Sequence, residues 1–364
     1  MKIGFDAKRL FNNFTELGSY SRSIIDVLTQ EYPEHEYYLY TPKVRLNDVT
    51  RPYLHKEGCH TVQPQGLIKG SYWRTFRLAK DMKRDGIELF HGLSSEMPAY
   101  MFHSGIPSVV TIHDVAFKTF PERYHWQDRK IYDAKWKYAC EHSDRVIAIN
   151  EKTKHDLMEY YNLPEHKVDV LYQSVDRRFY KPAAKTKCDP YMLYMGSVFS
   201  NNDLVSVIKA LKMLPRDLQM PLVVVGTRSC KKNALRHIAE QGMERLVIWK
   251  DNVKDDELHR LYANAELFFY PSLHEKHSLP VIEAALSGCP VITNSTDSLP
   301  GAGASYALYA DYNDISCFCE QISKVLSDSE FRHQLSICGR EYTSKTFDSV
   351  VLAHQLMEIY SRFV

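Results

Sequence analysis

The sequence predicts an α/β protein with two Rossmann-like domains, each built on a doubly wound parallel sheet, that face each other across a cleft. Short apolar runs alternate with helical patterns almost from end to end, which is typical of βαβ units. The alternation stops once, after about Lys181, and then starts again. A chain of 364 residues also favours two cores, since single domains rarely grow beyond about 250 residues.

The strands are predicted from their apolar runs. In the first half these runs are KIGFD, YYLYT, IELFH, SVVTIHD, RVIAIN and VDVLY. In the second half they are YMLYMG, PLVVVG, RLVIW, ELFFYP, PVITN and YALYA. Most are followed by a helical pattern, of which the clearest is the 3.6-residue stripe of Leu204, Val207, Ile208, Leu211 and Leu214.

The stretch KPAAKTKCDP shows neither the alternation of a strand nor the 3.6-residue period of a helix, and it is predicted to be the linker. The predicted domains are residues 1–182 and 183–345. The last residues, 346–364, form an amphipathic helix with no strand after it, and this helix is predicted to pack across the domain junction.

Composition excludes several functional classes. The 46 basic and 45 acidic side chains nearly cancel, whereas a nucleic-acid-binding domain is usually strongly basic. The eight cysteines lack any Cys-x-x-Cys pair, so we expect buried free thiols in a reducing compartment rather than a zinc site or disulfides. No run is long enough for a signal peptide or a membrane span, so a cytoplasmic protein is expected.

A pair of glutamates marks the candidate site. Glu275 and Glu283 lie in the stretch LHEKHSLPVIEAALSGCP, and Ser278 between them is a good helix cap. Gly288 is a good helix stop, so a short helix is predicted over residues 279–287. At about 100° per residue, Glu283 falls off the apolar stripe of this helix and can face a ligand.

The chemistry of this stretch suits a ligand with both phosphates and hydroxyls. Free amides in the first turn of a helix attract phosphate. Carboxylates accept hydrogen bonds from neutral hydroxyls. A nucleotide sugar carries both kinds of group.

The same stretch resembles the retaining glycosyltransferases of family 4, which have the two-domain GT-B fold and the hallmark Glu, seven residues, Glu. Glu275, Leu279, Pro280, Glu283 and Ala284 match that motif, and the SGCPVITN that follows is similar to its continuation. The stretches GFDAKRLFNNFTELGSYSRSIIDVL, HGLSSEMP, SVVTIHDVAF and YMLYMGSV resemble other family segments in the family's order. The resemblance covers nearly the whole chain and is nearest to bacterial polysaccharide mannosyl- and glucosyltransferases.

The resemblance implies a role for each matching residue. Glu275 would meet the hydroxyls of the transferred sugar, His113 would approach that sugar from the other domain, and Glu283 would bind the donor's ribose. The base would lie against backbone near Asn252 and Val253. The full set of implied donor-binding residues is Glu283, Gly196, Ser197, Asn202, His277, Ser278, Leu279, Pro280, Asn252, Val253 and Gly18.

The resemblance also implies the reaction. A hexose would pass with retention from a GDP- or UDP-linked donor to a bacterial surface polysaccharide, such as capsule or lipopolysaccharide, or to its lipid-linked precursor. The leaving phosphate would take the acceptor's proton. No Asp-x-Asp motif follows an apolar strand, so no metal and no further cofactor are expected.

The chain departs from the family pattern around the diphosphate. Asn201 and Asn202 stand where the family has Arg-Lys, and residues 276–278 replace Gly-Phe-Gly. Glu16 and Ser174 also replace glycines. Two alternatives stay open: a cation such as Lys276, Arg228, Lys231 or Lys232 supplies the missing charge, or the protein is a catalytically silent binding or partner subunit.

Two further features have open alternatives. His113 ends a predicted strand and is either a ligand of the sugar or a structural histidine, while His91 favours a structural or acceptor-side role. Residues 71–84 form a basic helix with interleaved aromatic residues, which either lies on an anionic membrane or turns its aromatic residues to the protein core. The first alternative would place the protein peripherally at the inner membrane.

Overall fold

The computed structural model describes residues 1–65, 70–181, 188–195, 201–226, 228–251, 253–270, 279–293 and 307–363, with backbone alone for 201–203 and 228–230. Contacts divide the chain into two units. The first is Met1–Ser174 with Ser349–Val364, and the second is Val175–Asp348.

The first unit is built on a parallel sheet of seven strands in the order β3-β2-β1-β4-β5-β6-β7. Its strands are β1 (Lys2–Asp6), β2 (Glu36–Tyr40), β3 (Cys59–Val62), β4 (Leu89–Gly92), β5 (Ser108–Ile112), β6 (Arg145–Ala148) and β7 (Val168–Val170). The central strands are buried along their whole length, as in β5. Burial on both faces explains why these strands read as continuous apolar runs.

The strand β3 is the one element of this sheet that the sequence analysis does not predict. It pairs only with β2 among the described strands, with His60 opposite Tyr38, and its side chains are half-buried or exposed. An edge strand is held mainly by main-chain hydrogen bonds on one side. It therefore has no apolar run by which it could be recognised.

Helices and short turns connect these strands. The α-helices are α1 (Lys8–Asn12), α2 (Glu16–Glu31), α3 (Gly70–Tyr72), α4 (Leu78–Asp85), α5 (Ala116–Thr119), α6 (Trp126–His142) and α7 (Glu151–Tyr161). Between α3 and α4 the chain forms a π-helical turn, Trp73–Arg77. Turns of this kind are often found at functional sites.

The second unit is built on a parallel sheet in the order β10-β9-β8-β11-β12-β13. Its strands are β8 (Met192–Met195), β9 (Leu222–Gly226), β10 (Val247–Asp251), β11 (Leu267–Tyr270), β12 (Val291–Thr293) and β13 (Leu308–Tyr309). Its helices are α8 (Asn201–Met213), α9 (Arg228–Glu240), α10 (Asp255–Asn264), α11 (Leu279–Leu286), α12 (Ile315–Ser327) and α13 (Ser329–Thr346). The predicted stripe from Leu204 to Leu214 on α8 is buried, as expected.

In both sheets the order in which successive strands are added reverses at an internal point. In the first sheet β1 lies beside β4, and in the second β8 lies beside β11, so successive strands are added outward on either side of these pairs. In such sheets the loops leave the neighbouring strands in opposite directions, which opens a crevice at their carboxyl ends. Each unit therefore has one preferred place for a ligand.

The last helix, α14 (Ser349–Tyr360), packs against α2 and belongs to the first unit by its contacts. The contact boundary falls at Ser174, whereas the sequence analysis places it at residue 182. The turn Arg177–Tyr180 explains the difference, because the buried Phe179 packs against His259 of the second unit. Residues 182–187 of the predicted linker lie outside the described residues.

The cysteines differ in part from the expectation. All seven that the structure describes are free, but Cys188, Cys317 and Cys338 are exposed. The expectation of buried thiols is therefore wrong for these three. Cys317 shows the reason, since it lies on the outer face of α12 while Cys319, two residues on, is buried.

Candidate functional site

The loops that carry the predicted donor-binding residues leave the same edge of the second sheet. Gly196 and Ser197 follow β8, Asn252 and Val253 follow β10, and Glu275 lies between β11 and α11. These strands are parallel, and β8 pairs directly with β11. The strand order therefore brings the predicted segments to one edge of the sheet, with those after β8 and β11 at the point where the strand order reverses and that after β10 two strands away from β8.

Several of these residues fall where the structure gives no description. Outside the described residues are Gly196, Ser197, Asn252, Glu275, His277, Ser278 and the side chain of Asn202. The described members of the predicted set in this unit are Val253, Leu279, Pro280 and Glu283, all of them half-buried. Glu283 is the residue of these four that carries a carboxylate, and the candidate site is centred on it.

The helix α11 begins at Leu279 and ends at Leu286, one residue before the predicted end. Pro280 lies in the first turn, where its missing N–H has no cost. Gly288 adopts a φ of +79°, the left-handed conformation that closes a helix, and its N–H donates to the carbonyl of Ala285. The predicted stop is confirmed.

Glu283 is the half-buried member of an otherwise buried segment, which runs Val281, Ile282, Ala284, Ala285 and Leu286. Its carboxylate is approached by Tyr262 of α10, whose hydroxyl donates to Oε2 at 3.4 Å. Burial, followed by the charge of Glu283, raises the pKa of Tyr262 well above its usual value, so this phenol stays protonated.

The contact with Tyr262 orients the carboxylate. A carboxylate has about four lone-pair positions, so acceptance of the hydrogen bond from Tyr262 is compatible with hydrogen bonds from the neutral hydroxyls of a ligand. Tyr262 is not identified by the sequence analysis. It lies in the loose pattern LYANAELFFY, where nothing distinguishes it from an ordinary core tyrosine.

One of the cations proposed to replace the missing Arg-Lys pair is already engaged. Lys231, on α9, lies with its Nζ 3.7 Å from Oδ2 of Asp251, the last residue of β10. Its charge is therefore partly balanced. Lys232 is exposed, while Lys276 and the side chain of Arg228 fall outside the described residues.

In the first unit His113 follows β5, as predicted, and its side chain is only 3% exposed. Its Nε2 lies 2.9 Å from the carbonyl of Leu93 and must carry the proton, because a carbonyl only accepts. Its Nδ1 then accepts from the side-chain amide of Gln173 at 3.1 Å. These bonds hold the ring in one neutral tautomer, with the edge of Tyr20 against it at 4.8 Å.

His91 lies in a buried chain of hydrogen bonds. Its Nδ1 is 2.5 Å from the hydroxyl of Tyr360, its Nε2 is 2.8 Å from Oγ1 of Thr111, and that hydroxyl is 3.1 Å from the hydroxyl of Tyr20. Burial lowers the pKa of His91 to about 3, so it stays neutral. The chain ties β4 and β5 to α2 and α14, which is a structural role.

Gly18 lies in the first turn of α2, and its need for glycine has a local cause. A Cβ at this position would lie 1.8 Å from the carbonyl oxygen of Asn13, a distance no side chain tolerates. The backbone N–H of Gly18 also donates to Oδ1 of Asn13 at 3.1 Å. Its predicted contact with a donor stays a prediction, while its packing is explained without one. Glu16, two residues earlier, is exposed.

Arg74 lies in the basic segment 71–84 but does not belong to its exposed face. Its guanidinium donates to Asp6, with Nε at 2.9 Å from Oδ2, and also to Glu96. Glu96 in turn accepts from Lys135 at 3.2 Å. Arg74 is only 13% exposed, so its assignment to a membrane-binding face is wrong.

The rest of that segment divides into two faces. Trp73, Leu78 and Met82 are buried, while Tyr72 and Phe76 are 53% and 50% exposed. The expectation that the aromatic residues face the core therefore holds for Trp73 alone. Exposed cations lie on the outer face with the two exposed rings, and these are Arg77, Lys80, Lys83 and Arg84. Among the helices that the structure describes, none is long and apolar enough to cross a membrane.

Comparison with family models covers most of the chain. A model described as glycosyl transferases group 1 matches residues 176–342, and a model described as glycosyltransferase family 4 matches residues 23–179. The two matches meet near the contact boundary of the two units.

Individual proteins are also similar to this chain, in sequence or in fold. O-antigen chain mannosyltransferase B of Escherichia coli is 27% identical over 259 residues, which is 67% of this chain and 66%, just under two thirds, of that relative. The sucrose-phosphate synthase of Thermosynechococcus elongatus matches all of this chain and 98% of its own, with a TM-score of 0.75 and 18% identity. The Anabaena protein HepE in complex with UDP matches with full coverage of both chains, a TM-score of 0.71 and 16% identity.

Proposed function

This chain belongs to the group 1 and family 4 glycosyltransferases and has their GT-B fold, and we propose that it transfers a hexose with retention from a nucleoside diphosphate sugar to a glycan acceptor. Mannose is the favoured sugar, because the relative from Escherichia coli is an O-antigen mannosyltransferase. The acceptor is a bacterial surface polysaccharide or its lipid-linked precursor. A GDP- or UDP-linked donor is consistent with the HepE complexes, which hold UDP and UDP-glucose.

The observation that carries the proposal is the position of Glu283. Glu283 lies on α11, the helix that follows β11, beside the reversal point of the second sheet. Its carboxylate is oriented by the hydroxyl of Tyr262. The reversal point is where a doubly wound sheet binds a nucleotide. A half-buried carboxylate there would repel phosphate but accept hydrogen bonds from the ribose hydroxyls, so it would bind one end of the nucleotide and not the other.

The proposed reaction needs no protein base at the acceptor. His113 is held as a neutral imidazole by Leu93 and Gln173, so its geometry suits positioning better than proton transfer. The leaving diphosphate oxygen would take the proton of the attacking hydroxyl on the same face of the sugar. No metal is invoked in this scheme.

The alternative is a catalytically silent subunit of the same fold, and the pairing of Lys231 with Asp251 is the observation that favours it. That cation is already partly neutralised by a neighbour. If no other charge compensates the donor diphosphate, the affinity would fall by about ten- to a hundredfold, since one charge-assisted contact contributes about 1.5 to 3 kcal/mol.

Transfer and binding together test the proposal. We expect GDP-mannose or UDP-glucose at millimolar concentration to raise the melting temperature, because a ligand at a hundred times its Kd adds about 2.7 kcal/mol of stability. With a mannose-terminated acceptor the α-anomer should appear in the proton NMR spectrum of the product. A thermal shift without transfer would favour the silent subunit, and no shift with a range of nucleotide sugars would contradict the proposal.

We further propose that the outer face of residues 71–84 contacts an anionic membrane. Tyr72 and Phe76 project from it with their ring centroids 5.2 Å apart, beside exposed cations. Amphipathic aromatic rings suit the headgroup region, and each Lys or Arg near an anionic surface adds about 1 kcal/mol of attraction. A lipid-linked acceptor would be met at such a surface.

Replacing Arg77, Lys80 and Lys83 by Glu should abolish flotation with phosphatidylglycerol vesicles, because attraction is replaced by repulsion. Arg74 is left intact, since its ion pairs lie inside the fold. The matched control replaces Lys43, Arg51 and Lys137, which are exposed elsewhere in the same unit, by Glu and changes the net charge equally. Equal flotation of the two triple variants would rule the proposed surface out.

A further inference from the structure

The outermost strand of the second sheet, β10, exposes an apolar side chain. Among the strands that the structure describes, β10 pairs with β9 alone. On one face of the strand, Val247 and Trp249 pack against the core of the second unit. Ile248 points to the opposite face, because side chains alternate along a strand, and it is 48% exposed. An isoleucine therefore lies in water on a strand that has one neighbour.

The main chain of β10 can accept a further strand. The N–H of Leu222 on β9 donates to the carbonyl of Leu246, the residue before β10, at 2.7 Å. Successive residues of a strand direct their main-chain groups to opposite sides. The main-chain groups of Ile248 therefore point to β9, and those of Val247 and Trp249 point away from it. Within the part of the chain that the structure describes, the groups of these two have no main-chain partner, and such an edge is a template for pairing.

The other edge strands of the two described sheets are less suited to pairing. His60 of β3 lies 3.3 Å from Glu36 on the neighbouring strand, and Asp169 of β7 accepts a hydrogen bond from Arg362. The strand β13 has only two residues. Charged side chains and short length are features by which edge strands avoid pairing with other chains. The strand β10 has five residues and exposes Ile248.

We propose that β10 pairs antiparallel with β10 of a second copy of this chain, about a twofold axis at Ile248. In this register Val247 of each copy lies opposite Trp249 of the other, so their outward main-chain groups bond reciprocally. Ile248 meets Ile248 in a non-hydrogen-bonded pair, where side chains are closest, and the exposed apolar surface of both is buried. The two sheets become one continuous sheet.

Charges at the two ends of β10 favour a second copy as the partner. Arg245 is exposed in the turn before β10, and Asp251 ends the strand. Antiparallel pairing about Ile248 brings the amino end of one strand beside the carboxyl end of the other, so each Arg245 approaches Asp251 of the other copy. A register centred on Trp249 would instead place Lys250 opposite Ile248, which sets a cation against the apolar side chain. Pairing of this kind does not depend on the proposed transfer activity.

Sedimentation velocity of the full chain over a range of concentrations tests the proposal. The wild type should shift from the 42.3 kDa monomer towards twice that mass as the concentration rises. Ile248→Lys sets two like charges opposite each other, so the Kd of its dimer should rise about tenfold or more. Ile131→Lys is the matched control, because Ile131 is 51% exposed in the first unit. A wild type that stays monomeric, or an equal rise in both variants, would overturn the inference.

A disulfide tests the register. Directly opposite Cβ atoms lie about 4.5–5.5 Å apart, so mild oxidation of Ile248→Cys should join two copies on the axis. Lys250→Cys is the control, because its two thiols would lie four residues apart along the strands, about 13 Å. The wild type is oxidised in parallel, since three of its cysteines are exposed, namely Cys188, Cys317 and Cys338. Equal amounts of covalent dimer in the three proteins on a non-reducing gel would contradict the pairing about Ile248.

Discussion

Arg74→Met is expected to lower the free energy of unfolding by about 3–5 kcal/mol, because it removes the cation that Asp6 binds inside the fold and leaves Glu96 with the exposed Lys135. Asp6 is 2% exposed and Glu96 14% exposed, and Arg74 joins both. Although burial opposes it, the charge of Arg74 lowers the pKa of Glu96 below its usual value. Urea unfolding of the two proteins at neutral pH measures the difference.

The same pair of proteins should show a characteristic pH dependence. A carboxyl group whose pKa is lowered by folding adds stability above its unfolded pKa, which for Glu96 is 4.5, and that stability is lost as the pH falls below this value. The difference in the free energy of unfolding between wild type and Arg74→Met should therefore become smaller at acidic pH.

Arg84→Met is the control for this prediction. Arg84 also faces two carboxylates, Asp81 and Asp85, but it is 57% exposed. Water screens exposed ion pairs, which therefore contribute little, so this variant should unfold almost as the wild type does. If the two variants lose equal stability, the buried network is not what makes Arg74 important.

Glu283→Ala is expected to weaken binding of the donor nucleotide by about ten- to a hundredfold. Loss of hydrogen bonds to a charged group costs about 1.5–3 kcal/mol, and every 1.4 kcal/mol is a factor of ten in Kd. The fold should survive, because Glu283 is half-buried and its neighbours on α11 supply the core contacts. Calorimetric titration with GDP and UDP measures the change.

A modified ligand makes this prediction specific to the ribose. A 2′,3′-dideoxynucleotide lacks the hydroxyls that Glu283 is proposed to bind, so it should bind the wild type and Glu283→Ala with equal affinity. Glu240→Ala, at an exposed glutamate on α9, controls for the loss of a charge in the same unit. A loss of dideoxynucleotide affinity as large as that of the parent nucleotide would place Glu283 away from the ribose.

Local patterns in the sequence predict most of the fold. Every apolar run predicted as a strand contains one in the structure. The clearest are central strands such as β5 and β11, because a strand buried on both faces must be apolar along its length. The stop of α11 at Gly288 follows from a conformational preference of one residue. The edge strand β3 escapes this reasoning, since it is held by backbone bonds and is not fully buried.

Side-chain pairs that are distant along the chain could not be predicted in the same way. Arg74 looks like one more cation of a basic helix until strand order brings it to Asp6, 68 residues earlier. His91 meets Tyr360 across 269 residues, and Glu283 meets Tyr262 between two helices. In each case the residue type was visible, but its partner depended on how strands and helices are arranged in space.

The sequence by itself therefore determined the two α/β units, all of their described strands except β3, and the end of α11, because burial and helix geometry leave local, periodic marks. Only the tertiary structure decided that Arg74 joins Asp6 to Glu96, that His113 is held as a neutral ring, and that Tyr262 orients Glu283. The physical reason is that hydrogen bonds and ion pairs act over a few ångströms, and the order of strands in a sheet, which local patterns do not encode, determines which side chains come that close.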